Sequence, residues 1–134
     1  MVHEQDRVVG DKLGRKVFET AIHTPQRNLL IQYKDKPNDI GAGHNESYCV
    51  DKAFDSGVRN YTAKSALRST ETNAVDYYGY WKLYDALRTC AGSGTYCEYA
   101  FGDTPQQRGL GLLDGKPIRE LEVELPAAPL LSEK

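Results

Sequence analysis

The chain has 134 residues, enough for one domain of ordinary size, and 40% hydrophobic and 27% charged residues give it a globular composition. A formal net charge of -2 supplies no basic field for a nucleic-acid backbone, and no apolar run approaches the roughly 18 residues of a membrane span. Cys49, Cys90 and Cys97 contain no C-x-x-C spacing, which argues against a zinc ribbon or a thioredoxin-type site.

The first residues, "MVHEQDRVVG", have no basic start and no apolar centre, so no signal peptide is read. The location is cytoplasmic by default and exported only if a signal lies upstream. The same stretch reads as the end of a buried strand running into a turn, which leads us to expect a preceding section. From Asp11 to Thr24 the period is helical: Leu13, Val17, Phe18, Ala21 and Ile22 form one stripe, Asp11 is placed to cap the start and Pro25 to stop the end. Asn28 to Tyr33 reads as a short strand, and its contiguous Leu29, Leu30 and Ile31 suit a strand covered on both faces.

The turn-rich "KDKPNDIGAG" opens a long connection, with short helices expected within Tyr48–Phe54 and near Tyr61–Arg68. The strongest helix is expected over Ala74 to Ala91, with Tyr80, Leu83, Tyr84, Leu87 and Cys90 on one apolar face and Gly92-Ser93-Gly94 ending it. The aromatic cluster Tyr77, Tyr78, Tyr80, Trp81 and Tyr84 reads as core packing with hydroxyl tips at the boundary. "TPQQR" looks like a cap and first turn with Pro105 at the first helical position. "IRELEVEL" alternates Leu121, Val123 and Leu125 with glutamates, as a half-exposed edge strand does. The tail "PAAPLLSEK" is expected to be loose.

Two residues carry chemistry by their placement. Asp6 follows the first strand remnant, and His44 follows the next strand in the Gly-rich "GAGHNESYC". Residues just past the carboxyl ends of neighbouring parallel strands converge on one rim of the sheet. A carboxylate there fixes the imidazole tautomer and frees the other ring nitrogen as a base. The plainer readings are a surface or structural role for His44 and a helix-entry turn for Asp6. Cys90 and Cys97 flank a bend that permits a local disulfide. A Cys49–His44 nucleophile pair lacks an oxyanion hole, and His3, His23 and His44 have no metal-ligand spacing.

"HEQDRVVG" and "NLLIQYKDKPNDIGAGHNESY" resemble the acid turn, and the last strand and histidine loop, of α/β-hydrolase-fold proteins of the serine esterase and lipase type. "AVDYYGYWKLYDAL", "CEYAFGDTPQQR" and "DGKPIRELEVEL" are similar to a C-terminal extension in bacterial members of that superfamily. The resemblance implies Asp6 as triad acid, His44 as general base and no cofactor or metal. It implies an α/β fold: the C-terminal fragment of a hydrolase fold, with the last two parallel strands and their intervening helix, plus a mainly helical extension. Residues 1–50 would be the hydrolase remnant, 51–125 the helical extension with a terminal strand, and 126–134 a flexible tail.

The departure from that family is large. None of Ser47, Ser56, Ser65, Ser69, Ser93 and Ser132 sits in G-x-S-x-G, and the oxyanion-hole loops have no counterpart. The expected function is therefore the acid–base portion of a serine ester hydrolase, inactive alone. It would act on a small-molecule ester when completed by an N-terminal hydrolase half, or self-associate through an exposed sheet edge. No nucleic-acid or membrane partner is expected. The alternatives are a non-catalytic binding or scaffold module that uses the Tyr-rich helix, and a small self-sufficient α+β domain.

Overall fold

A computed structural model of the chain describes residues 1–49, 53, 56–58, 60, 61 and 72–127. The two short helices expected between Tyr48 and Arg68, and most of the C-terminal tail, lie outside the described residues. A three-stranded sheet has the order β1 (Val2–His3), β2 (Leu29–Gln32), β5 (Glu122–Glu124), and a separate hairpin pairs β3 (Leu112–Leu113) with β4 (Lys116–Pro117). β1 runs parallel to β2, with Val2 opposite Ile31 and His3 opposite Gln32. β5 runs antiparallel on the other side, with Leu30 opposite Val123. The helix between the parallel strands is α1 (Lys12–Thr20).

α1 is shorter than its period suggests. Asp11 precedes it without making a cap bond, because its carboxylate accepts instead from Arg15 Nε at 2.6 Å. The helix ends at Ala21, ahead of Pro25, where Arg27 Nε donates to the Phe18 carbonyl at 2.9 Å and caps the last turn. Leu13 and Val17 of the apolar stripe are 62% and 58% exposed, and Ile22 is open as well. No residue of α1 is buried, so the stripe lacks the cover that normally makes an amphipathic helix stable.

The long helix departs more. Asn73 and Asp76 form a reciprocal cap: the Val75 N–H donates to Asn73 Oδ1 at 2.7 Å and the Asn73 N–H to Asp76 Oδ2 at 2.9 Å. A π-helical turn over Asp76–Trp81 follows, and only then regular α2 (Lys82–Ser93), which Gly94 ends in left-handed geometry. The wider turn shifts the residues that face the core. Val75 and Ala86 are buried, and Tyr80 and Leu83 pack at the margin of the core. Tyr84 and Leu87, expected inside, are exposed, as are Tyr77, Tyr78 and Trp81, so the aromatic cluster is chiefly a surface and not core packing.

Two single-turn helices, α3 (Cys97–Ala100) and α4 (Pro105–Arg108), complete this half. Thr104 caps α4 by accepting from the Gln107 N–H at 3.1 Å, with Pro105 in the first position as the sequence predicts. Lys82 Nζ donates to the carbonyls of Gln106, Gln107 and Gly109 at 2.8, 3.1 and 2.6 Å, which fixes α4 against α2. A Cys90–Cys97 disulfide ties the end of α2 to α3, and Cys49 is free.

Ile40, Val75, Leu110, Ile118 and Leu121 make the core, drawn from both segments of the chain. β5 is an edge strand, but its glutamates do more than face water. Glu124 accepts from Arg15 of α1 at 2.6 Å, and Glu122 from the Tyr33 hydroxyl at 2.7 Å.

Candidate acid–base site

The parallel pairing places the two predicted site residues on one rim. Beyond β1 the Glu4 N–H donates to the Gln32 carbonyl and the Gln5 N–H to the Ala42 carbonyl, both at 2.9 Å. Strand pairing thus continues into the acid turn and passes to the histidine loop. That loop returns to the rim because Asp35 and Ile40 exchange two backbone bonds at 3.0 Å, closing a tight turn over Lys36–Asn38. From below, Gln32 Nε2 donates to the Gly41 carbonyl at 2.7 Å. On the far side the Asn73 amide donates to Glu46 Oε1 at 2.9 Å and anchors the loop to the start of the long helix.

Asp6 and His44 meet there. His44 Nδ1 lies 3.2 Å from Asp6 Oδ1 and 3.1 Å from Oδ2. Asp6 Oδ1 also accepts from the Val8 and Val9 amides, at 2.9 and 3.0 Å. The Val9 amide, followed by His44, holds the Asp6 carboxyl well below the usual carboxylate range. An ionised carboxylate only accepts, so Nδ1 of His44 carries the proton and neutral imidazole presents its Nε2 lone pair. Nε2 makes no bond to another described residue. The Asp6 side chain is 12% exposed and that of His44 43%, so the acid is covered while the base is open.

A groove of about 570 Å³ opens beside the pair. Val9, Leu13, Val17 and Phe18 contribute its apolar wall, and Asp6, His44 and Ser47 its polar lining. Ser47 is the one described serine in the groove; Ser56 and Ser93 are not, and the Ser93 hydroxyl donates to the Thr89 carbonyl at 2.9 Å. Cys49 does not line the groove either. Among the described residues no group of three His, Cys, Asp or Glu side chains is placed to hold a metal, and no helix is long and apolar enough to cross a membrane.

Sequence reasoning named His3 and Tyr80 separately and did not pair them. His3 Nε2 bonds to the Tyr80 hydroxyl. Burial, followed by the charge of the chain's amino terminus, pushes the His3 imidazole below its ordinary value. Burial, followed by the charge of Glu46, pushes the Tyr80 phenol up. Nothing in the local sequence links the two residues, since 77 positions separate them. Family models, curated proteins and solved structures were each compared with the chain, and none matches.

Proposed function

We propose that this chain supplies the acid–base portion of a serine ester hydrolase of the α/β-hydrolase type, with Asp6 as the acid and His44 as the general base. One observation carries the reading: both oxygens of the Asp6 carboxylate lie against His44 Nδ1, at 3.2 and 3.1 Å, at the rim shared by two parallel strands. In the complete enzyme His44 takes the proton of an attacking serine hydroxyl. The serine oxygen bonds to the ester carbonyl carbon, and His44 returns the proton to the leaving alkoxide. Asp6 stays ionised and holds the imidazolium. The nucleophile and the oxyanion donors belong to a neighbouring polypeptide section. The outer edge of β1, unpaired among the described residues, and the open stripe of α1 support a place for that section.

The test is p-nitrophenyl ester hydrolysis and fluorophosphonate labelling of this chain alone, and of the chain expressed in frame with whatever its gene encodes upstream. Activity in the longer protein alone, lost in His44→Ala, is the expected result. Stoichiometric labelling of a serine in the short chain overturns the reading, as does activity in the long one that ignores His44.

A second reading, a non-catalytic binding module, draws on the exposed Tyr77, Tyr78, Trp81 and Tyr84. An unrelated gene immediately upstream, with no strand or G-x-S-x-G encoded in any frame, would favour it.

A further inference from the structure

A second cleft, of about 750 Å³, opens where the chain leaves the carboxyl ends of β1 and β2. Glu4 lines it from the β1 side, Lys34 and Lys36 from the β2 side, and Arg119 from the segment after β4. It shares no lining residue with the Asp6–His44 groove. Three cations thus meet at one opening in a chain whose net charge is -2. Among the described residues none of the three forms an ion pair with a carboxylate. The two carboxylates beside them are engaged by other groups. Asp35, 5% exposed, accepts from Asn38 Nδ2 at 2.7 Å and from the Arg119 N–H at 2.8 Å. Glu4 accepts from the Lys34 N–H at 3.1 Å. Three positive charges against two negative ones leave the cleft positive.

The fold builds this opening. Asp35 has extended backbone geometry (φ -111°, ψ 92°), so Lys34 and Lys36 lie on the side opposite its inward carboxylate. Asn38 Nδ2 also donates to the Pro117 carbonyl at 3.0 Å, which ties the two walls together. The Arg119 guanidinium lies over the Tyr33 ring, 4.2 Å from its centroid, and donates to the Lys34 carbonyl at 3.3 Å. Its plane is thereby held, and most of its N–H donors remain for a ligand. A planar fork of donors beside two ammonium groups suits the three terminal oxygens of a phosphoryl group better than a two-oxygen carboxylate. Pro37 and Pro117 add exposed apolar surface, and the volume suits a small molecule, not a bare ion. We propose that this cleft binds a small organic phosphate: Arg119, Lys34 and Lys36 hold the phosphoryl oxygens, and Pro37 and Pro117 carry the organic body. The proposal is independent of the acid–base reading, since neither Asp6 nor His44 takes part.

The test titrates the whole chain, labelled with nitrogen-15, with phenyl phosphate, inorganic phosphate and benzoate at constant ionic strength. The pH is held at about 7.5, where a phosphomonoester carries close to two negative charges. Phenyl phosphate should give saturable shifts at the amides of Lys34, Lys36 and Arg119, and should bind more tightly than either of the other two. Arg119→Gln, which keeps the backbone N–H to Asp35 and removes the guanidinium, should weaken it by at least about tenfold. Lys34→Gln/Lys36→Gln should weaken it by a similar factor, and covers the case in which Arg119→Gln does not fold. Binding that does not saturate, or an affinity unchanged in the folded variants, overturns the site. Equal affinity for benzoate overturns the choice of a phosphoryl group, and equal affinity for inorganic phosphate overturns the organic body.

Discussion

Gly14 on α1 lies against Val2 on β1 so closely that a Cβ added at Gly14 would fall 2.6 Å from Val2 Cγ1. That approach sets how near the helix sits to the strand leading into Asp6. Gly14→Ala brings two opposed effects. Alanine in a helix interior gains about 1 kcal/mol over glycine, whereas overpacking costs about 1–3 kcal/mol. Val2 is held by its pairing with Ile31, so overpacking wins. A lower urea midpoint is expected, with a net loss of about 1 kcal/mol. A raised midpoint would mean that Val2 turns aside.

The charge on Asp6 makes the fold sensitive to acid. Its pKa is lowered in the folded chain, by the Val9 amide and then by His44. Its contribution is therefore present above the unfolded carboxyl value of about 4, and is lost as pH falls through the folded value. Asp6→Asn keeps an oxygen for the Val8 and Val9 amides and removes the charge, together with one of the two oxygens beside His44 Nδ1. Unfolding at a series of pH values should show the unmodified chain more stable at pH 6, with the gap closing as the solution is acidified below about pH 4. A constant gap would show that the charge contributes nothing.

The Cys90–Cys97 bridge closes a short loop, seven residues in sequence separation, between α2 and α3. On the chain-entropy account such a loop is worth about 2.5 kcal/mol. Thermal melts with and without dithiothreitol should differ by that amount. Cys90→Ser/Cys97→Ser should match the reduced chain and lose the response to reductant. Equal melts in all cases would show that the packing of α3 alone holds this corner.

In the complete enzyme under the proposed function, His44→Ala should lower kcat for ester hydrolysis by about 10⁶. Asp6→Asn should lower it by about 10⁴, since the imidazole survives but its tautomer is no longer fixed. Steady-state kinetics on a p-nitrophenyl ester read both. An Asp6→Asn variant within tenfold of the parent would remove Asp6 from the mechanism.

The convergence of Asp6 and His44 was legible because it follows from coarse order alone: acid turn, helix, strand, loop. Parallel pairing of Val2 with Ile31 then brings the two loops together whatever the details. The Thr104 cap and the edge placement of β5 were legible for a similar reason, since each rests on residues close in sequence. The face of the long helix was not, because a 3.6-residue period places Tyr84 and Leu87 with Tyr80. The π-helical turn breaks that period between the reciprocal Asn73–Asp76 cap and Lys82. Asp11 failed as a cap because Arg15, one turn on, takes its carboxylate. The Leu112–Pro117 hairpin went unread although Asp114-Gly115 is a turn pair, since two-residue strands leave too little alternation to notice.

Leu13 and Val17 carry a practical warning for anyone who follows this chain by fluorescence. Anilinonaphthalene dyes report molten or damaged proteins by settling on apolar surface that intact ones hide. Here such surface belongs to the native fold, so the dye should glow on fresh, fully folded material. Its signal should fall, not rise, as a ligand or a companion polypeptide fills the groove.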